Sequence, residues 1–272
     1  GETVLYLSNQ AIRDIYELYT VSINGGISIK LVEVLSTDSP ISDYQISPDN
    51  LSAVYRQSTL APFSNNIYAV AINGGTRIRL NEPGNIVDLV WEISSDSNTV
   101  VYMAYPDDSF SILNLYSVPI SGGEPTRLNT PANTQSNGAG SFEITPDGKT
   151  VIYLEYLEPL TGTLHLVPVN GGTAQQITSF PNIFSFEISP DSQWLVFGFD
   201  RTLYTYPLSE PEVLNYDVNN DGRVTPADAI YIINRLDDTI DETNAFVDVD
   251  NNGIINITDA NLVIKQIGQT LD

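Results

Sequence analysis

Apolar residues in this chain come in short runs of four to six, each entered through a turn and left through another. The runs Ser52–Tyr55, Thr99–Met103, Thr150–Leu154 and Trp194–Phe197 are too short for amphipathic helices and rich in Val, Ile and Tyr, so they are expected to be strands. Each follows one pattern: aromatic, polar, Ile, Ser or Thr, any residue, Asp. It reads Tyr44-Gln45-Ile46-Ser47-Pro48-Asp49, Trp91-Glu92-Ile93-Ser94-Ser95-Asp96, Phe142-Glu143-Ile144-Thr145-Pro146-Asp147 and Phe186-Glu187-Ile188-Ser189-Pro190-Asp191. Pro or Ser before Asp is turn chemistry, because these side chains bond nearby backbone amides.

A second marker recurs between these motifs: Asn24-Gly25-Gly26, Asn73-Gly74-Gly75, Ser121-Gly122-Gly123 and Asn170-Gly171-Gly172, at spacings of 49, 48 and 49 residues. Asn-Gly favours the positive φ angles of a two-residue hairpin turn, so each marker is expected to join two antiparallel strands that way. A third strand precedes the marker, as in Ile67–Ile72, Leu115–Ile120 and Leu164–Val169, and a fourth follows it, as in Thr76–Leu80. Four strands per unit of this length predict propeller blades. The repeats resemble the TolB-like (PD40) propeller repeat over about residues 1–208, through the Ser-Pro-Asp turn before an apolar strand and the Gly-Gly of the later hairpin.

Three strands in the first unit, twelve in the next three and three in the last make eighteen. Gly1-Glu2-Thr3-Val4-Leu5-Tyr6-Leu7 matches Gly148-Lys149-Thr150-Val151-Ile152-Tyr153-Leu154 position for position. The expectation is the C-terminal part of a longer propeller.

After Pro211 the pattern changes. Asp217, Asn219, Asp221, Thr225 and Asp228 stand at positions 1, 3, 5, 9 and 12 of a loop with Gly222 at position 6. Asp248, Asp250, Asn252, Asn256 and Asp259 repeat the arrangement 31 residues on, with Gly253. Ca²⁺ takes six to eight hard oxygen ligands, and alternate side chains of a tight loop supply them, with a backbone carbonyl at position 7, here Arg223 and Ile254. One ion per loop is expected. Each loop runs into an apolar helix, Ala227–Leu236 and Asp259–Ile267, with Pro226 near the first start, where a missing N–H is harmless. Residues 237–244 connect the two.

The span 215–268 resembles a type I dockerin, through the duplicated loops, Asp at position 12 and the lack of an incoming helix before the first loop. The resemblance implies calcium binding and docking to a cohesin domain. The partner-reading positions it implies are Pro226, Ala227, Ile233 and Asn234, with Ile257, Thr258, Ile264 and Lys265. The two copies differ there, and Pro226 departs from the small or hydroxyl residue common in the family.

The predicted class is thus mainly β: a partial TolB-like β-propeller of four-stranded blades over 1–210, then a small α-helical domain with two EF-hand-like calcium loops over 211–272. Composition agrees, since 42% hydrophobic residues suit a globular chain. The net charge of −23 argues against nucleic acid and anionic membranes as partners, because both require a basic patch. Cysteine is absent, which removes disulfides, thiolate metal sites and a cysteine nucleophile.

Catalytic chemistry is hard to find. The single histidine, His165, lies five residues before its turn marker, where Tyr19, Tyr68 and Tyr116 lie before theirs, so a packing role is expected. A Gly-x-Ser-x-Gly elbow is missing. Gln45, Glu92, Glu143 and Glu187 recur on the strand expected to be innermost. They either line a channel that attracts a cation or hydrogen-bond between blades. The segments 36–42, 57–65, 105–111 and 129–140 are expected rim loops suited to a peptide or glycan ligand.

The expected function is that of a secreted, extracellular or cell-surface bacterial protein without catalysis of its own, whose propeller recognises a ligand and whose dockerin attaches it to a cohesin-bearing scaffold. The alternative is a glycan-degrading hydrolase or lyase component with its catalytic part upstream.

Overall fold

The structure is a computed structural model of the chain. It describes residues 2–34, 36–60, 63–106, 112–129, 136–157, 161–178, 180, 183, 185–208, 216, 218, 224–236, 238, 244, 247–249 and 254–267. Two compact units emerge, Gly1–Leu208 and Ser209–Asp272.

The first unit holds eighteen strands among the described residues, in five antiparallel sheets that follow one another in chain order. The first sheet is β1 (Thr3–Ile12), β2 (Ile15–Ser22) and β3 (Ile29–Val32). The second is β4 (Ile41–Ile46), β5 (Ser52–Leu60), β6 (Phe63–Ala71) and β7 (Ile78–Arg79). The third is β8 (Ile86–Ile93), β9 (Thr99–Tyr105), β10 (Asn114–Pro119) and β11 (Thr126–Arg127). The fourth is β12 (Ser136–Ile144), β13 (Thr150–Leu157), β14 (Thr161–Pro168) and β15 (Gln175–Gln176). The last is β16 (Phe186–Ile188), β17 (Trp194–Phe199) and β18 (Thr202–Pro207). Each four-stranded sheet is a meander with the strand order of a propeller blade.

Successive sheets pack face to face, and the core lies in the seams. Leu18, Val32 and Val34 of the first sheet meet Ala53, Tyr55 and Val70 of the second. Val54, Ile67 and Leu80 meet Val100, Tyr102 and Tyr116 across the next seam. Met103 and Leu115 then meet Phe142 and Val167, and Ile152 and Leu164 meet Phe186 and Leu195. Strand alternation serves both seams, since odd and even positions of one apolar run face opposite neighbours.

The repeated tyrosines form one stacked cross-strand pair per sheet: Tyr6–Tyr19 at 5.7 Å, Tyr55–Tyr68 and Tyr102–Tyr116 at 5.5 Å. His165 takes the tyrosine's place in the fourth, stacked on Tyr153 at 5.1 Å. Such pairs are the packing unit of a sheet.

The Ser-x-Asp turn has a common wiring. Ser47 Oγ donates to Asp49 Oδ1 at 2.6 Å, Leu51 N donates to the same oxygen, and Ser52 N donates to Ser47 Oγ. Ser94 and Asp96, Thr145 and Asp147, and Ser189 and Asp191 repeat it. The residue after each Asp is left-handed: Asn50, Ser97, Gly148 and Ser192 have φ of 63°, 64°, 75° and 60°. Serine is accepted there despite the strain because Ser97 Oγ accepts from Asp49 N, and Ser192 Oγ from Asp147 N, each at 2.9 Å. One turn is thus tied to a turn of the following sheet.

The Gly-Gly markers differ from the expected two-residue turns. β2 ends at Ser22 and β3 begins at Ile29, and the positive φ falls on the glycines, +84° and +124° at Gly25 and Gly26, with Asn24 outside that region. The wider connection carries the chain to a short outer strand. Close packing adds a second demand for glycine: a Cβ at Gly122 would lie 2.7 Å from Ile78 Cγ2 of the preceding sheet, and one at Gly171 2.6 Å from Thr126 Cγ2. Two expected rim loops are also corrected. Residues 57–65 lie mostly within β5 and β6, which pair as far as Leu60 with Phe63, and residues 136–140 belong to β12. Polar residues in these strands hid the pairing, since Ser58 faces Asn65 and Thr59 faces Ser64. Residues 107–111 and 130–135 lie outside the described residues.

Candidate metal centre

The second unit is organised by two helices, α1 (Pro226–Ile233) and α2 (Ile257–Gln266), over a small core that includes Ala229 and Ile232 from the first, Ala260 and Val263 from the second, and Val218, Val247, Val249 and Ile255. The 31-residue repeat maps 229 onto 260 and 232 onto 263, so each copy presents the same two core positions. Both helices begin a residue or two earlier than the apolar pattern alone predicts, because each is opened by a capping box.

Thr225 Oγ1 accepts from Ala227 N at 3.2 Å, and Asp228 Oδ2 accepts from Thr225 N at 2.8 Å. In the second copy Asn256 Oδ1 accepts from Thr258 N at 2.7 Å, and Asp259 Oδ2 from Asn256 N at 2.8 Å. Loop position 9 is therefore the N-cap and loop position 12 is N3. These reciprocal bonds satisfy amides that a helix start leaves open. The sequence carried this signal, as Thr-x-x-Asp and Asn-x-x-Asp before apolar runs, beyond the proline that marks the first start.

Of the twelve candidate calcium ligands, Thr225, Asp228, Asp248, Ile254, Asn256 and Asp259 lie in the described part. Asp217, Asn219, Asp221, Arg223, Asp250 and Asn252 lie outside it. Asp228 and Asp259 are fully buried and Asp248 nearly so. Buried carboxylates call for compensating charge or hydrogen bonds. Carboxylate, amide, hydroxyl and carbonyl oxygens at these spacings fit a hard divalent cation. The described residues alone bring no three acidic or histidine side chains together as a metal cluster.

All eight partner-reading positions are exposed, among them Ile233 at 43%, Ile257 at 54% and Ile264 at 48%. Each helix thus carries exposed isoleucines on its outer side. Ile230 and Ile254, which sequence reasoning did not single out, are exposed as well.

In the first unit, Glu92 Oε2 accepts from Ile144 N of the next sheet at 3.0 Å, an inter-sheet hydrogen bond. Burial pushes the Glu92 and Glu143 carboxyls up, and Glu143 is raised further by Glu187 and Glu92. His165 Nε2 lies 3.2 Å from Glu155 Oε2 and 3.0 Å from Thr163 Oγ1. Burial lowers its pKa against the pull of Glu155, which favours neutral imidazole. Among the described residues no helix is long and apolar enough to cross a membrane.

Two capped helices, each following a copy of the same acidic segment, share one small core. Residues 215–268 match the family model of the dockerin type I domain, and that region is a dockerin type I domain. Domains of this family bind calcium and cohesin domains and occur in secreted proteins. The first unit is similar to solved TolB structures. A TolB-designated protein from Agrobacterium tumefaciens shows 20% identity at a TM-score of 0.47, covering 78% of this chain and 69% of the other. TolB from Acinetobacter baumannii gives 16% and 0.44, covering 76% and 51%. Hydrazine synthase from Kuenenia stuttgartiensis gives 16% and 0.46, covering 76% and 62%. The chain thus spans less than two thirds of the latter two, and the architecture rests on the strand pairing above. A search among curated proteins found no match.

Proposed function

We propose that this chain is a secreted, non-catalytic recognition protein, attached through its dockerin to a cohesin-bearing scaffold or cell surface. Two Ca²⁺ ions, one per loop, order the docking helices. Asp217, Asn219, Asp221, Thr225 and Asp228, with the Arg223 carbonyl, hold the first. Asp248, Asp250, Asn252, Asn256 and Asp259, with the Ile254 carbonyl, hold the second. Calcium neutralises carboxylates that the loop concentrates, and the loop's closing residue also closes the capping box from position N3.

One observation supports this reading above the rest. Two copies of a capped helix present equivalent exposed positions, Ile233 and Ile264 among them, at the 31-residue repeat. A cohesin face that covers these isoleucines buries apolar area in the manner of a protein–protein hot spot. The test is thermal unfolding of the full chain, with and without calcium, followed by titration with a panel of cohesins. Calcium should raise the lower transition and permit saturable cohesin binding, both reversed by chelator. A melting curve indifferent to calcium would sink the reading.

A further inference from the structure

The first four sheets repeat their aromatic pair but not the polar residues around it. Tyr19, Tyr68, Tyr116 and His165 pair across to Lys30, Arg79, Arg127 and Gln176, so the residues two places earlier, Ser28, Arg77, Pro125 and Ala174, are equivalent. Serine, proline and alanine all serve at that position, so the packing of the repeat does not demand a guanidinium there. The second sheet carries one.

Arg77 is held in place from one side only. Its Nη1 donates to Gln57 Oε1 at 2.6 Å and to the Tyr55 hydroxyl at 3.4 Å. Its Cζ lies 4.4 Å from the centre of the Tyr68 ring, which is itself stacked on Tyr55. Gln57 is buried and fixed in turn, donating from Nε2 to the Ser39 carbonyl at 3.0 Å. These contacts use Nη1 and the flat face of the guanidinium, and Nε and Nη2 have no partner among the described residues. Those two N–H groups lie side by side, on an edge with which a guanidinium meets a carboxylate. Arg56 shows the match in the same sheet, where its Nε and Nη2 donate to Asp43 Oδ2 at 2.9 and 2.6 Å.

There is room beside it. Arg77, Gln57, Tyr68 and Ser39 help wall a cavity of about 230 Å³, together with Glu33 from the segment that leads out of the first sheet. That volume falls below the usual range for a drug-sized ligand and suits a guest of one sugar or one amino acid. Glu33 is exposed, is the one carboxylate lining the cavity, and makes no ion pair with Arg77. A protein of net charge −23 repels anions at large. A carboxylate is therefore held only where a fixed cation and neighbouring hydrogen-bonding groups act together, as they do along this wall.

We propose that this cavity binds a small organic carboxylate that carries a second hydrogen-bond donor, with Arg77 as the anchor and Glu33 as the acceptor for that donor. The free edge of Arg77 takes the carboxylate with two parallel bonds. Glu33 takes a hydroxyl or an ammonium group, and its own charge disfavours a guest with a second anionic group, such as a phosphate dianion. Two sources share the favoured chemistry: a uronic acid, whose donor is a hydroxyl, and a free amino acid, whose donor is an ammonium. The proposal gives the recognition reading a ligand class and rests on that reading for its biological sense.

The experiment is ligand-observed NMR of the full chain with D-glucuronate, L-serine, propionate and D-glucose as probes. D-Glucuronate or L-serine should bind saturably at about millimolar concentration, and whichever binds names the source. Propionate, which lacks the second donor, and D-glucose, which lacks the carboxylate, should bind about tenfold more weakly or not at all. Arg77→Ser, which installs the first sheet's residue, should weaken the binding by about tenfold or more. Glu33→Gln, at an exposed position and therefore safe in case the first variant misfolds, should weaken it severalfold. Saturable binding by neither D-glucuronate nor L-serine means that the cavity holds only water and overturns the proposal. Binding that neither substitution changes overturns it too, as does D-glucose binding as tightly as D-glucuronate. If cohesin capture persists through such a failure, attachment stands and only the ligand class is lost.

Discussion

The two units solve the same problem, stability from a repeated segment, in opposite ways. The sheets stack: each buries its apolar positions against the next, with Leu18, Tyr55, Tyr102 and Tyr153 packed among apolar side chains. Among the described residues the dockerin has two short helices and a small core, with fully buried carboxylates at both helix starts. A unit that small rarely supplies enough burial alone, and a bound metal is one of the usual remedies. Repetition in the first unit preserves packing and lets polar rim residues diverge. Duplication in the second keeps oxygen-bearing side chains at the same loop positions and lets outward positions such as Ala227 and Thr258 or Asn234 and Lys265 diverge.

That contrast can be broken from either side. The largest effect is expected in the seams: Tyr55→Ala should destabilise the first unit by about 3–5 kcal/mol in chemical denaturation, whether or not calcium is present. In the dockerin the dependence should invert. Asp228→Asn with Asp259→Asn keeps an oxygen for each capping bond but removes the charge, so calcium-free stability should change little while the calcium-induced rise in melting temperature largely disappears. Equal losses with and without calcium would mean that these carboxylates serve the caps alone.

Smaller effects probe the turns. Ser97→Ala deletes the hydroxyl that accepts from Asp49 N and should cost about 1 kcal/mol, whereas Ser97→Gly should come out nearly neutral because it also relieves the left-handed strain. The pH dependence carries two signs. Hydrogen bonds from Ser47, Ser94 and Ser189 hold Asp49, Asp96 and Asp191 below the usual carboxylate range, and at Asp147 the bonds from Thr145 and Lys149 outweigh an opposing burial effect. Their contribution is complete above the ordinary Asp value and is lost as pH falls through the depressed one, below about pH 4. Glu92 and Glu143 are raised, so their ionisation lowers stability as pH climbs from the ordinary Glu value through the raised one. Glu92→Gln retains an acceptor for Ile144 N and should raise the melting temperature slightly at neutral pH. A drop there would show that the charge itself is needed, as a cation site along the inner strands requires.

Much of this architecture is written locally. The Ser-x-Asp turns, the tyrosine before each glycine pair and the oxygen spacing of the loops all act within a dozen residues, which is why strand order and helix positions could be read before any coordinates. The errors arose where a partner lies farther away. Residues 57–65 resemble a polar loop until Ser58 meets Asn65 across the hairpin. Glycine at 122 and 171 answers side chains of the preceding sheet, some 45 residues back in the chain.

Placing one side chain at two jobs constrains how such a module can change. On the proposed reading, a substitution at Asp228 or Asp259 that removes the side-chain oxygen alters both ion affinity and the capping box that opens the helix carrying Ile233 or Ile264. On that reading ion affinity and partner choice are coupled through these helices, and new partners are more readily acquired at the outward isoleucines than at the oxygens that open each helix.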